Sequence, residues 1–151
     1  MSVLDGLSLA CSGFLLAVLW MDLIFDSQVR SVRGGELPEP ILASIADYYR
    51  RATTTSRPMS RLIAAVMVIL LSTLVFRGLR SDEPVMVTAV SAVLAAIPIV
   101  LALLRTLPHA VRLGARCGGP VEQSQLARSI FRDHIACLLA ISALLTVLLV
   151  W

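Results

Sequence analysis

The chain has 151 residues, 58% of them hydrophobic and 15% charged, with a mean hydropathy of +0.86 and a formal net charge of +3. A soluble domain carries more charge and less apolar character, so the composition excludes that class and points to an integral membrane protein. All 13 basic residues are arginine and they cluster beside apolar runs, a placement that suits lipid headgroups and gives no reason to expect nucleic acid as a partner.

The first apolar run, Leu7 to Phe25, has no basic leader and no small-residue cleavage site. It is therefore read as a crossing over residues 5–27 and not as a secretory signal. It ends in WMDLIFD, with Asp22 and Asp26 one helical turn apart. Ser8, Ser12, Leu15, Leu19, Asp22 and Asp26 form one stripe, predicted to face the bundle interior. An aspartate near the middle of a bilayer costs about 2.5–3.5 kcal/mol, so these acids call for partners.

GGELPEP marks a turn, and residues 40–52 follow with Ile41, Ile45, Tyr48 and Tyr49 near one helical face and Asp47, Arg50 and Arg51 largely on the other. That pattern predicts an interfacial helix lying on the membrane. TTTSRP ends it, with Ser56 as cap and Pro58 in the first turn of the second crossing, 58–77. The short RGLRSDEP turn makes the second and third crossings antiparallel neighbours. The third crossing, 84–106, carries Pro98, with Pro108 just beyond, and both predict kinks. Its alanines, Ala89, Ala92, Ala95, Ala96 and Ala102, predict close packing and the most enclosed helix of the set. RCGGP closes this segment and Pro120 opens the last helix, which crosses over 131–151.

Together these elements predict one domain over residues 1–151: an all-α integral membrane four-helix bundle with an interfacial cytoplasmic helix between the first two transmembrane helices. Arg30, Arg33, Arg50, Arg51, Arg57 and Arg61 fall between the apolar runs Leu7 to Phe25 and Leu62 to Phe76, and Arg105, Arg112, Arg116, Arg128 and Arg132 between the runs Val85 to Leu104 and Ile135 to Trp151. Both arginine-rich connections are then cytoplasmic and both termini lie outside, in a multi-pass protein of a bacterial inner (plasma) membrane. Cys11, Cys117 and Cys137 lie in different segments without ligand spacing, so no disulfide framework or thiolate metal site is expected.

In this orientation the polar helix ends converge on one membrane face. Asp22 and His134 are the candidate catalytic groups, and Asp26, Arg61, Arg105, His109, Arg132 and Asp133 the candidate substrate-binding groups. No cofactor is favoured: haem between His109 and His134, or a divalent metal on Asp22, Asp26, His109 and His134, fits the residue types, but no ligand motif accompanies them. The DxxxD pair also resembles magnesium-diphosphate sites of membrane lipid transferases, which need a second acidic motif that is absent here. A competing reading makes the same groups aspartate–arginine clamps, Asp22 or Asp26 with Arg61, Arg105 or Arg132, in a structural or interaction subunit of a larger membrane complex. Proton-coupled transport through Asp22 and His134 is a third, opposed by the apolar outer halves of the last three crossings. Expected partners are membrane lipids and a lipophilic small molecule, with homo-oligomers or membrane-complex partners also open.

YYRRATTTSRPMS leading into the second helix, IPIVLALLRTLP in the third and RSIFRDHIACL opening the fourth carry a resemblance. In these segments the chain resembles the anthrone-oxygenase-like family of small four-helix membrane proteins. The resemblance implies cofactor-free oxidation of a flat lipophilic substrate and marks Tyr49, Arg50, Arg51, Pro98, Pro108, Arg132 and His134. The two acids of WMDLIFD, and Asp133 beside His134, depart from that family's pattern. The activity so implied is that of an oxygenase-like oxidoreductase.

Overall fold

The structure, a computed structural model, describes residues 2–32, 34–55, 57–80 and 84–150. It is 91% helical, with no strand among the described residues. Six α-helices follow one another: α1 (Val3–Asp26), α2 (Glu39–Arg50), α3 (Arg57–Arg80), α4 (Val85–Leu101), α5 (Leu107–Gly114) and α6 (Pro120–Val150). Four continuous helical segments, Val3–Ser31, Pro58–Leu79, Val85–Gly114 and Pro120–Val150, are long and apolar enough to cross a membrane.

α1 starts on a capping box in which Ser2 and Asp5 satisfy each other's backbone amides. It packs on α3 and α6, and α4 packs on α3 and α6, so the four long helices form a ring in the order α1, α3, α4, α6. The predicted stripe on α1 does turn inward: Ser8, Ser12, Leu15 and Asp26 are buried. Leu15, Leu70, Leu74, Ala95, Ile141 and Leu144 form the core of one half of the bundle. Beyond it, Ser8 donates to Thr73 at 2.9 Å and Arg77 pairs with Asp5 at 3.3 Å. The segment RGLRSDEP is thus less connective than its turn residues imply, because α3 runs on through Arg80 and puts Arg77 inside the fold; Ser81 to Glu83 lie outside the described residues.

At the other end, α2 folds back over the bundle. Its apolar face is covered by protein: Leu42, Ile45, Ala46 and Tyr49 are buried in a second core with Leu113 and Ile130. Gly114 lets α5 approach closely, since a Cβ there would stand 2.8 Å from the Arg50 amide nitrogen. The GGELPEP turn is tied down by α6. Arg128 donates to the carbonyls of Val32, Gly34 and Gly35, and the Leu37 amide donates to Ser124 Oγ. Gly34 and Gly35 both take positive φ, +75° and +68°, which side-chain-bearing residues rarely adopt.

Two single π-helical turns interrupt the α-helices. The first, Arg51–Thr55, follows α2; there Thr53 Oγ1 donates to the Tyr49 carbonyl at 2.8 Å and competes with the backbone amide for it. Ser56, predicted to cap the next helix, lies outside the described residues. The second π turn, Ala102–Thr106, joins α4 to α5 between Pro98 and Pro108. Pro108 lacks an amide hydrogen, so the Leu104 carbonyl inside the turn loses its usual donor and the helix widens at little further cost.

The alanine-rich third segment is not the most enclosed. α6 is, and the α4–α5 segment is the least buried of the four. Small side chains permit close approach but do not supply a neighbour on every side. Ala89 and Ala92 face outward, while α6 is overlaid by α1, α4, α2 and α5.

Candidate functional site

The two cores leave a polar layer between them, built on α1, α2 and α6. Asp22 and Asp26 project from the last turns of α1, where their four-residue spacing puts both on the inner face. His134 stands opposite on α6. Its Nδ1 lies 2.6 Å from Asp26 Oδ2 and its Nε2 lies 3.9 Å from Asp22 Oδ2. Tyr49 donates to Asp26 Oδ1 at 2.6 Å, and Tyr48 donates to Asp22 Oδ1. Tyr48 is held in turn by stacking on Phe25, with ring centroids 4.2 Å apart and planes 11° from parallel.

Asp26 is 1% exposed, and its two oxygens are taken by Tyr49 and His134. A buried carboxylate needs such partners, because an unpaired charge in a low-dielectric interior is costly. As a carboxylate it only accepts, so His134 Nδ1 carries the hydrogen of this bond and Nε2 is the nitrogen on the side of Asp22. Tyr48 and Tyr49 remain protonated donors: burial first, then the neighbouring carboxylates, push both phenols well above their ordinary range.

Asp22 and His134 form the polar end of a cavity of about 120 Å³. The rest of its wall is mostly apolar, including Leu15, Leu19, Met67, Pro98 and Ile141. Thr106, in the second π turn, adds a buried hydroxyl with no hydrogen-bond partner among the described residues. A helical threonine ordinarily bonds the carbonyl one turn back. Here Thr106 makes no such bond.

The predicted catalytic pair, Asp22 and His134, is therefore brought together on one cavity wall. Asp26 sits behind the imidazole and away from the wall. Asp133 is buried on the same helix and pairs with Arg105 at 3.2 Å, while Arg105 also donates to Ser129 at 3.1 Å. His109 and Arg132 line a different, open cleft with Arg112 and Glu122. Arg61 is exposed and outside the cavity. The clamp of Asp22 or Asp26 with Arg61, Arg105 or Arg132 does not form among the described residues, where tyrosine and histidine meet both acids; the aspartate–arginine pair that does join α1 to a neighbour is Asp5–Arg77, at the other end of the bundle. His109 and His134 do not face one site, and no three His, Cys, Asp or Glu side chains among the described residues are grouped to hold a metal.

Sequence reading missed Tyr48 and Thr106 as site groups and knew Tyr49 only through the resemblance. The adjacent pair YY on an amphipathic helix was the available signal, but it reads equally as a membrane-facing aromatic belt. No protein-family model matches the chain, and comparison with curated proteins and with solved structures gave no match.

Proposed function

We propose that this is a membrane-embedded, oxygenase-like oxidoreductase acting on a lipophilic small molecule. Its site lies near the cytoplasmic face of the inner membrane, with both termini outside. The observation that carries the reading is the Asp26–His134 hydrogen bond of 2.6 Å behind an imidazole that walls an apolar cavity. An acid that fixes the tautomer and orientation of histidine from behind is the arrangement by which imidazole serves as a general base.

The chemistry follows from the groups present. A flat substrate with an acidic C–H enters from the bilayer, and its oxygen function accepts a hydrogen bond from Thr106. His134 Nε2 takes the proton, and the electron pair of the broken C–H bond stays on the substrate as a carbanion. Asp26 and Asp22 stabilise the imidazolium so formed. Molecular oxygen is the oxidant: it adds to the carbanion, the resulting peroxide takes the proton back, and loss of water leaves a carbonyl. The net change is CH2 plus O2 to C=O plus H2O. The resemblance to anthrone-oxygenase-like proteins points to the same substrate class.

Anthrone serves as the probe, with oxygen uptake and quinone formation followed on the purified protein. His134→Ala is expected to lose about 10²–10⁴-fold in rate, the usual share of a positioned base. Asp26→Asn, which leaves the imidazole but removes the charge behind it, is expected to fall between that variant and the parent. The reading is overturned if the parent consumes no oxygen with anthrone, or if folded His134→Ala matches it.

A further inference from the structure

Outside this site, the surface between α1 and α6 carries two adjoining depressions. One, of about 490 Å³, is lined by Arg30, Arg128 and Arg132, with Val29 and Phe131 among its apolar residues, and no carboxylate takes part among the described residues. The other, of about 290 Å³, holds Trp20, Ile24, Ile135 and Leu138, all apolar, and shares Arg30 and Phe131 with the first. The helices are antiparallel: Asp26 meets His134, and further up α1 Leu15 shares a core with Ile141 and Leu144, further along α6. From Ile24 in α1 to Arg30 in the 3-10 turn Ser27–Ser31 that continues it, and from Leu138 to Phe131 on α6, the wall therefore changes from hydrocarbon to guanidinium over the same span, roughly 10 Å at about 1.5 Å per residue.

The geometry points to a binding site for one anionic phospholipid, its phosphate in the arginine cleft and an acyl chain in the groove beside Trp20 and Ile24. Charge selects the headgroup. Arg128 is already committed to the carbonyls of Val32, Gly34 and Gly35, and Arg132 bonds the Arg128 carbonyl through Nε. These bonds fix the direction of both side chains, and Arg30 is exposed on the opposite wall. Two held guanidiniums and the exposed Arg30, with no carboxylate lining the cleft among the described residues, attract a phosphate diester. A zwitterionic headgroup would bring its own cation into the same cleft. The apolar continuation selects a lipid over a free anion, since a soluble phosphate makes no use of the groove. The site shares no cavity with Asp22 and His134, so it stands apart from the proposed reaction.

The test uses the full chain in detergent and counts retained lipid by native mass spectrometry. Phosphatidylglycerol, phosphatidylcholine with the same acyl chains, and glycerol phosphate are offered separately. Phosphatidylglycerol is expected to be retained in preference to the other two. An arginine beside an anionic headgroup is worth about 1 kcal/mol, so R30Q/R132Q weakens that retention roughly thirtyfold and R30Q alone roughly fivefold. Both side chains are exposed, so the variants keep the parent's fold, checked by their helical circular dichroism. Equal retention of the two phospholipids, or unchanged retention by the folded double variant, overturns the proposal. Retention of glycerol phosphate as strong as that of phosphatidylglycerol does so too, because the cleft would then be a soluble-anion site.

Discussion

Asp26 and Asp22 differ by their surroundings and not by their chemistry. The first is enclosed by Tyr49 and His134, while the second keeps about a fifth of its side-chain surface open on the cavity wall. The protein contains two tyrosines, and both phenols serve these acids. Phenolate absorbance therefore reports on this site alone. Both phenols are raised above the usual value of about 10, so neither is expected to ionise in the folded protein at about pH 11. The sign for stability follows. Below about pH 10 folded and unfolded chains both hold these protons; above it the unfolded chain releases them first, and stability falls as pH rises. Alkaline titration in detergent checks this: Asp26→Asn should bring Tyr49 back toward the normal range. Ionisation of both phenols at about pH 10 in the parent would contradict the packing. Tyr49→Phe leaves a buried carboxylate oxygen without its donor, at a cost of about 1–3 kcal/mol.

At the scale of elements, α2 is the piece that completes the site, and α5 holds α2. The contact rests on Gly114, where any side chain would meet the backbone of Tyr49 and Arg50. Gly114→Ala is expected to push α5 from α2 and to destabilise the fold by about 1–3 kcal/mol, as overpacking does elsewhere. Denaturation in mixed micelles measures it, and the shift should be accompanied by partial exposure of Tyr49. A neutral outcome would mean that α1 and α6 hold α2 without α5. The stripe on α1 was legible from the sequence because the helical period alone puts Ser8, Ser12, Leu15, Asp22 and Asp26 in line. The convergence of His134 with those acids was legible from the order and direction of the long helices. The role of α2 was not. Its apolar residues fit a membrane surface as well as a protein one, and only the fold-back over α5 and α6 decides between them. His109 was misplaced for a related reason: spacing relates it to Arg105, but the neighbour it meets depends on where α5 lies, and α5 turns it to the cleft beside Arg112.

For the whole molecule, the uneven distribution of arginine is the feature that sets direction across a bilayer. The cysteines supply a direct check. Cys117 is exposed in the turn between α5 and α6, whereas Cys11 and Cys137 are buried. A membrane-impermeant maleimide is expected to label Cys117 in inverted inner-membrane vesicles and to leave it unlabelled in intact spheroplasts. Cys117→Ser should abolish the signal. Labelling from the outside would reverse the orientation and put Asp22 and His134 toward the other compartment. The four long apolar helices were legible because length and composition alone mark them; their direction across the bilayer is the expectation that this labelling tests. The cavity was not legible, because its shape depends on how four separate segments wall it.

The unbroken length of α6 has a further consequence. Its 31 residues reach about 46 Å, against a hydrocarbon layer of about 30 Å. With Val150 at the far boundary, the 16 residues back to His134 account for roughly 24 Å. In the proposed orientation the imidazole would sit about one helical turn inside the near boundary, so that a proton taken up in the proposed reaction would have only a few ångströms to travel to water.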